Sequence, residues 1–395
     1  MLTGLLLLVA LEVLLAALIR VLRPRFAWLI TPRDKAPEIS ADRIAKHEAQ
    51  SFHPVLGWLH RPGARWTNPS SAGAVEYRID DKGRRMNPGF EDKPMPVSVY
   101  GDSYAFCRLV PDDKTWPHYL SRGLGCHVGN YGVGNYGLDQ ALLRYEAEAP
   151  QGEKVVVMAI VPETIARVQS YWKHYFEYGN VLAFKPRFRL VGGRLEVIPL
   201  CLGQPESLAS YAESLEFIQR TDGFYRRKFL RDLIAFPVLW SLLRRPGRHL
   251  PILGHLLCGL LRGDFESGRK RAFGVILREN ASWTRRLYGE TEACALLEAL
   301  ILRYAEQCRK RSAQPLLVVV PQPFDLGGRG EAPHEAFFAR IAEKLPVVDF
   351  TRQFTQYGDP SALFVQGPLG PHTSGLANEI IAERLAGVLR GLGTV

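Results

Sequence analysis

Apolar residues along this chain fall into three kinds of run, and each kind predicts a different element. The first is one long block. Positions 2–19 are apolar except for Thr3, Gly4 and Glu12, and Arg20, Arg23 and Arg25 follow. That length is at the short end of a membrane span. No positive charge precedes the block and no small-residue cleavage site follows it, so an uncleaved anchor is expected over a removable signal peptide. Arginines on the C-terminal side place the body of the protein on the cytoplasmic face.

The second kind is short and mostly apolar, as in 96–100 (PVSVY), 154–161 (KVVVMAIV), 315–321 (PLLVVVP) and 346–350 (PVVDF). Strands buried on both faces look like this. The third kind repeats with helical spacing, at 115–125, 138–149, 295–312, 335–345 and 375–392. In 138–149, Leu138, Ala141, Leu142 and Tyr145 share one side. Strand and helix alternate, which predicts an α/β fold: a three-layer α/β/α arrangement around a parallel sheet.

Proline and glycine punctuate short strand-like runs at 52–66 and 75–90, a small β-rich lead-in. The expected organisation is an anchor over 1–25, a linker and lead-in over 26–95, and an α/β domain over 96–392 interrupted by an insertion at 167–286. The insertion opens on an aromatic and basic stretch, YWKHYFEYGNVLAFKPRFRL. Further on, 229–263 holds two short apolar segments split by RRPGRHLP. Each is too short to span a bilayer. They are expected to form a helical hairpin over the core or to lie on a membrane surface with arginines at the headgroups.

The chain has 395 residues, 47% hydrophobic and 23% charged, which is ordinary for a protein with a sizeable core. Its net charge of +10 favours anionic partners such as phosphate-bearing lipids, acidic glycans or an anionic membrane surface. The basic residues are scattered, without zinc-finger spacing or an RNA-recognition signature, so nucleic acid is not an expected partner. Six cysteines occur without C-x-x-C pairs or metal-ligand spacing to histidine. They read as free thiols, and no metal is expected.

Three segments carry candidate chemistry. The strand at 96–100 runs straight into Gly101-Asp102-Ser103. Active residues of parallel α/β sheets collect at such strand ends. A serine hydroxyl there needs a base to take its proton, and backbone N–H groups nearby can hold an oxyanion. The second segment, NYGVGNYGLDQ at 130–140, places three glycines in six residues, which lets backbone approach a ligand closely. The third is His372, in a Gly/Pro loop just before the last predicted helix.

Together YGDSYAF, NYGVGNYG and PHTSGLANEIIAE resemble the first, second and fifth sequence blocks of the SGNH/GDSL hydrolase superfamily. The likeness covers 96–162 and 295–392 and leaves the insertion outside. It implies a flavodoxin-like three-layer fold, no cofactor, and hydrolysis or transfer of ester-linked acyl groups on carbohydrates or lipids. The nucleophile maps onto Ser103 and the base onto His372. Asp102, Gly134 and Asn135 fall in the active-site loops, with Asn135 at the position of an oxyanion-hole glycine.

The chain also departs from the family pattern. The aspartate three residues before the histidine is replaced by Leu369, and no asparagine follows the 154–161 strand, where Pro162, Glu163 and Thr164 stand. The carboxylate that orients the histidine is therefore missing from its usual place. Glu163 and Asp349, each at the end of a predicted core strand, are candidates to replace it. The reading is a Ser-His esterase or O-acyltransferase acting on an acyl ester of a glycan or lipid. Lys173, Lys185 and Arg187 would face an anionic sugar or lipid phosphate. The alternative is a membrane-anchored binding or assembly protein that keeps the fold without the chemistry.

Overall fold

The computed structural model describes residues 2–326, 332–368 and 370–393. The chain begins with α1 (Leu2–Leu22) and α2 (Ala41–Gln50), then two hairpins, β1 (Phe52–His53) with β2 (Gly57–Trp58) and β3 (Arg65–Ser70) with β4 (Gly73–Arg78). It continues through β5 (Val97–Gly101), α3 (Ser103–Phe106), α4 (Trp116–Leu124), β6 (Val128–Asn130), α5 (Leu138–Glu148), β7 (Val155–Ile160) and α6 (Thr164–Arg167). A third hairpin, β8 (Arg187–Val191) and β9 (Arg194–Ile198), precedes a helical run. That run comprises α7 (Leu215–Thr221), α8 (Leu230–Asp232), α9 (Val238–Arg244), α10 (Pro246–Leu261), α11 (Phe265–Leu287) and α12 (Thr291–Lys310). The last part holds β10 (Gln314–Val319), α13 (Pro333–Ala342), β11 (Val347–Asp349), α14 (Thr351–Thr355), β12 (Phe364–Val365), β13 (His372–Thr373) and α15 (Gly375–Gly391).

These elements form two compact units. One comprises Met1–Lys46, Gln169–Phe184 and Cys201–Trp283; the other comprises His47–Val168, Lys185–Leu200 and Thr284–Val395. Within the span 167–286, the β8–β9 hairpin belongs to the unit that holds the sheet.

In the sheet unit, five parallel strands lie in the order β6-β5-β7-β10-β11. Numbered by chain position this is 2-1-3-4-5, the flavodoxin-like order of doubly wound sheets. Val97 pairs with Val128 on one side and Val155 on the other, and Val155 pairs with Gln314. Alternate residues face opposite layers. Val97, Val99, Val155, Val157, Leu316 and Val318 pack with Trp116 and Leu120 of α4 and Ile381 and Leu385 of α15. On the other face Tyr100 stacks on Tyr131 and meets Tyr145 of α5, and the Tyr304 hydroxyl of α12 donates to the Val156 carbonyl at 2.6 Å. The predicted α/β/α layering is what the chain adopts. Each fully buried valine or leucine contributes about 1.5–3 kcal/mol, so the apolar runs are the main driving force for this sheet.

In the helical unit, α1 is long and apolar enough to cross a membrane. Its N-terminal part is exposed, while Ile19 and Leu22, with Phe26 and Leu29 beyond them, are buried against Val238 and Leu242 of α9 and Ile252, Leu253 and Leu256 of α10. The two apolar segments of the insertion therefore pack on the end of the N-terminal helix. Asp232 lies buried at the centre of Lys228, Arg245 and Arg248. Those cations hold its carboxyl below the usual range although burial pulls the other way.

Candidate active site

The turn carrying Ser103 depends on a glycine. Gly101 closes β5 at φ +150°, and a Cβ there would lie 1.9 Å from the Ala159 carbonyl oxygen of β7. Only a residue without a side chain lets the two strands stay this close where the chain leaves the sheet. Asp102 then caps α3. Its carboxylate accepts from the Tyr104 N–H at 2.8 Å, the Val161 N–H at 3.2 Å and Arg167 Nη1 at 3.2 Å. Arg167 also donates to the Tyr136 carbonyl at 3.1 Å and to Glu163 at 2.7 Å. Full burial pushes the Asp102 carboxyl above its ordinary value, and Arg167 is the strongest opposing influence. Asp102 thus pins the Ser103 turn to the end of β7 and to α6. Ser103 is 5% exposed, and among the described residues its N–H donates to no group.

The 130–137 loop wraps the same turn. The Asn130 amide donates to the Ala105 carbonyl at 3.0 Å, and its oxygen accepts from the Gly132 N–H at 3.0 Å. A Cβ on Gly132 would meet the Phe106 nitrogen at 2.5 Å, so this glycine sets how tightly the loop seats on α3. The Gly134 carbonyl accepts from Trp58 Nε1 at 2.9 Å. Asn135 is left-handed at φ +68°, a conformation asparagine tolerates better than most residues, and it is the one half-buried position in an otherwise buried loop.

His372, in β13, brings the third segment here. Its ring stacks on Tyr104 with centroids 5.0 Å apart, and the Tyr104 hydroxyl donates to the Pro371 carbonyl at 2.8 Å. His372 Nδ1 lies 3.2 Å from the Gly370 carbonyl oxygen. A carbonyl only accepts, so Nδ1 carries the hydrogen and Nε2 keeps the lone pair. That is the tautomer a base requires. Burial, with a smaller contribution from the Arg108 charge, lowers the His372 pKa to about 3. Among the described residues no carboxylate bonds to His372, and no hydrogen bond joins it to Ser103. Catalytic bonds are often long before substrate arrives. Leu369 lies outside the described residues.

Among the described residues, neither candidate replacement acid hydrogen-bonds to the histidine. Glu163 is held by Arg167, and an Asp349 carboxylate oxygen accepts from the Thr351 N–H at 2.8 Å at the start of α14. The three candidate substrate cations also part company. Lys173 belongs to the helical unit, is fully buried, and pairs with Glu177 at 2.7 Å. Lys185 belongs to the sheet unit, is fully buried, and pairs with Asp139. Both ammonium groups neutralise carboxylates in place and do not face a solvent-borne anion. Arg187 opens β8 and is half-buried.

Two neighbouring residues escaped the sequence reading. Arg108 follows α3, and its guanidinium sits so close to Gly134 that a Cβ there would lie 2.0 Å from Nη2. Its Nε is buried and has no hydrogen-bond partner among the described residues. An arginine inside the apolar run YAFCRLV was the available signal. Asp325 follows the end of β10 and accepts from the Gln322 N–H at 2.8 Å. Burial raises its pKa to about 7, and Glu163 and Asp349 add to the shift against Gln322 and Arg285. Its position beyond a core strand end was the signal there.

No family model matches the chain, and no curated protein matches it. Similar solved structures include a protein of the G-D-S-L lipolytic family from Desulfitobacterium hafniense, 12% identical, covering 74% of this chain and 98% of its own, with a TM-score of 0.35. A protein from Lactobacillus plantarum is 11% identical, covering 75% of this chain and 97% of its own, with a TM-score of 0.36. The five-stranded parallel sheet itself has the flavodoxin-like strand order.

Proposed function

We propose that this chain is a membrane-anchored SGNH-type serine esterase or O-acyltransferase. Ser103 Oγ attacks an acyl carbonyl, and His372 Nε2 takes the hydroxyl proton and returns it to the leaving alcohol. The Ser103 N–H, with N–H groups of the Gly134–Asn135 segment, receives the oxyanion. Water or an acceptor hydroxyl then releases the acyl group from Ser103. Arg108, whose buried Nε has no hydrogen-bond partner among the described residues, favours an ester whose acyl or alcohol part is anionic, and α1 serves as the anchor.

The observation that carries this reading is the Nδ1–H donation from His372 to the Gly370 carbonyl beside the Ser103 turn. It supplies by backbone the orientation that a carboxylate ordinarily supplies. The test is fluorophosphonate labelling of the purified full chain beside Ser103→Ala and His372→Ala. Labelling that disappears in both variants is expected. Labelling unchanged in Ser103→Ala removes Ser103 as nucleophile.

A second reading has its own support. His372 lacks an acidic partner among the described residues and is a very weak base. These features suit a glycan- or lipid-binding protein without chemistry. It predicts no labelling of the wild type, with ligand binding kept in Ser103→Ala.

A further inference from the structure

We propose that residues 235–243 form a re-entrant segment buried in the membrane leaflet that receives the C-terminal half of α1. The proposal rests on α1 crossing the membrane. It adds a second contact with lipid, made by the helical unit through the acyl chains.

Glu12 carries the depth information. It lies midway along α1, ten residues before Leu22, or about 15 Å at the helical rise of 1.5 Å per residue. In a hydrocarbon layer about 30 Å thick this is close to the midplane. A carboxylate there is costly unless hydrogen-bonded. One oxygen of Glu12 accepts from the Val238 N–H and the other from the Leu239 N–H, the latter at 2.9 Å. These are N–H groups of the first turn of α9, which have no partner within their own helix. A side chain reaches only a few ångströms, so the start of α9 sits at the depth of Glu12.

Val238 and Leu242 of α9 lie in one buried cluster with Ile19 and Leu22 near the arginine-bearing end of α1. Phe236, Trp240 and Leu243 are instead 82%, 65% and 55% exposed. Large apolar side chains gathered in this way mark a surface that meets something apolar. No charged residue occurs from Leu233 to Leu243.

Part of the irregular backbone before the helix is hydrogen-bonded within the protein, which lowers the cost of burying it in lipid. The Ala235 N–H donates to Ser241 Oγ at 3.1 Å, and that hydroxyl donates to the Ala235 carbonyl at 2.8 Å. Ile234 N–H donates to the Ile30 carbonyl at 2.8 Å. At the mouth, Arg244 Nη2 donates to the carbonyls of Leu230 and Arg231 at 3.0 and 3.1 Å. Entry and exit therefore lie together, next to Arg245 and at the end of α1 that carries Arg20, Arg23 and Arg25. Such arginines suit the headgroup layer.

The test is depth-dependent quenching of Trp240 in the full chain reconstituted into phosphatidylcholine vesicles. Lipids brominated at mid-chain are compared with unlabelled lipids, for wild type, Trp240→Phe and Trp283→Phe. Trp240→Phe replaces an exposed ring by a smaller apolar one, so folding is kept. The expected result is bromolipid quenching in wild type that is mostly lost in Trp240→Phe and kept in Trp283→Phe, with Trp240 shielded from aqueous acrylamide. Protein that floats with the vesicles but whose bromolipid quenching is the same in Trp240→Phe overturns the re-entrant segment alone. Protein that does not float with vesicles overturns the anchor and this proposal together.

Discussion

His372 Nδ1 donates to the Gly370 carbonyl oxygen across 3.2 Å, two residues back along its own loop. The carbonyl fixes the ring tautomer as a carboxylate would. It brings no full negative charge to stabilise the imidazolium, and Arg108 works against that ion. His372 is therefore neutral over the whole ordinary pH range. Fluorophosphonate labelling is expected to show no inflection near pH 6.5 from this residue and to decline only as pH approaches about 3. His372→Gln is expected to lower the labelling rate by about 10²–10⁴-fold, the usual contribution of a positioned base. A pH series on both proteins measures this.

The same burial links the histidine to stability. The folded-state pKa is about 3 against 6.5 for the free side chain, so between those values the unfolded chain binds more protons. Stability then falls as pH drops below 6.5, by at most about 1.4 kcal/mol per pH unit for each such group. His60, also lowered to about 3 by burial, acts in the same direction. Urea midpoints from pH 7 to pH 4 are expected to fall, and less steeply in His372→Gln.

Gly101→Ala places a methyl group 1.9 Å from a backbone oxygen that cannot move without parting β5 from β7. A loss exceeding about 4 kcal/mol is expected, within the exceptional class of single substitutions. Gly152→Ala is the control. Gly152 has φ +83° with nothing within 4 Å of the added carbon, so only the conformational cost of about 1–2 kcal/mol applies. Thermal melts of the two variants separate contact from conformation.

Lys185 and Asp139 form a fully buried pair. Lys185→Met is expected to cost about 3–5 kcal/mol by leaving a carboxylate uncompensated, and adding Asp139→Asn is expected to recover part of it. A double-mutant cycle in urea reads the coupling. If Lys185 instead served a substrate, Lys185→Met would weaken activity with the urea midpoint unchanged.

Arg108→Gln is expected to reduce kcat/KM for an anionic ester by about tenfold to a hundredfold, the range of a charged hydrogen bond. A neutral ester of the same shape is expected to be hydrolysed almost as before. Equal losses on both esters would assign Arg108 to packing. The substitution also removes a charge that depresses the His372 pKa, so the acid limb of activity moves to higher pH.

Much of the fold was legible because its signals are local. A buried strand such as Val155–Ile160 shows itself as consecutive apolar residues, and α12 or α15 by spacing matched to a helical turn. Ser103 and His372 were legible from their places beside a strand end and a closing helix. The Gly370 carbonyl was not, since every residue carries one and only the path of the loop aims it.

The order and type of the elements, the long apolar helix and the two candidate residues were thus determined by sequence alone, through periodicity and chain position. Tertiary structure decided where the charges went. Lys185 and Asp139 stand 46 positions apart, and Glu12 and Val238 are 226 apart. A charged residue carries the same letter on a wet surface and in a buried pair. Its cost and its partner appear only when the folded chain removes water and brings distant segments together.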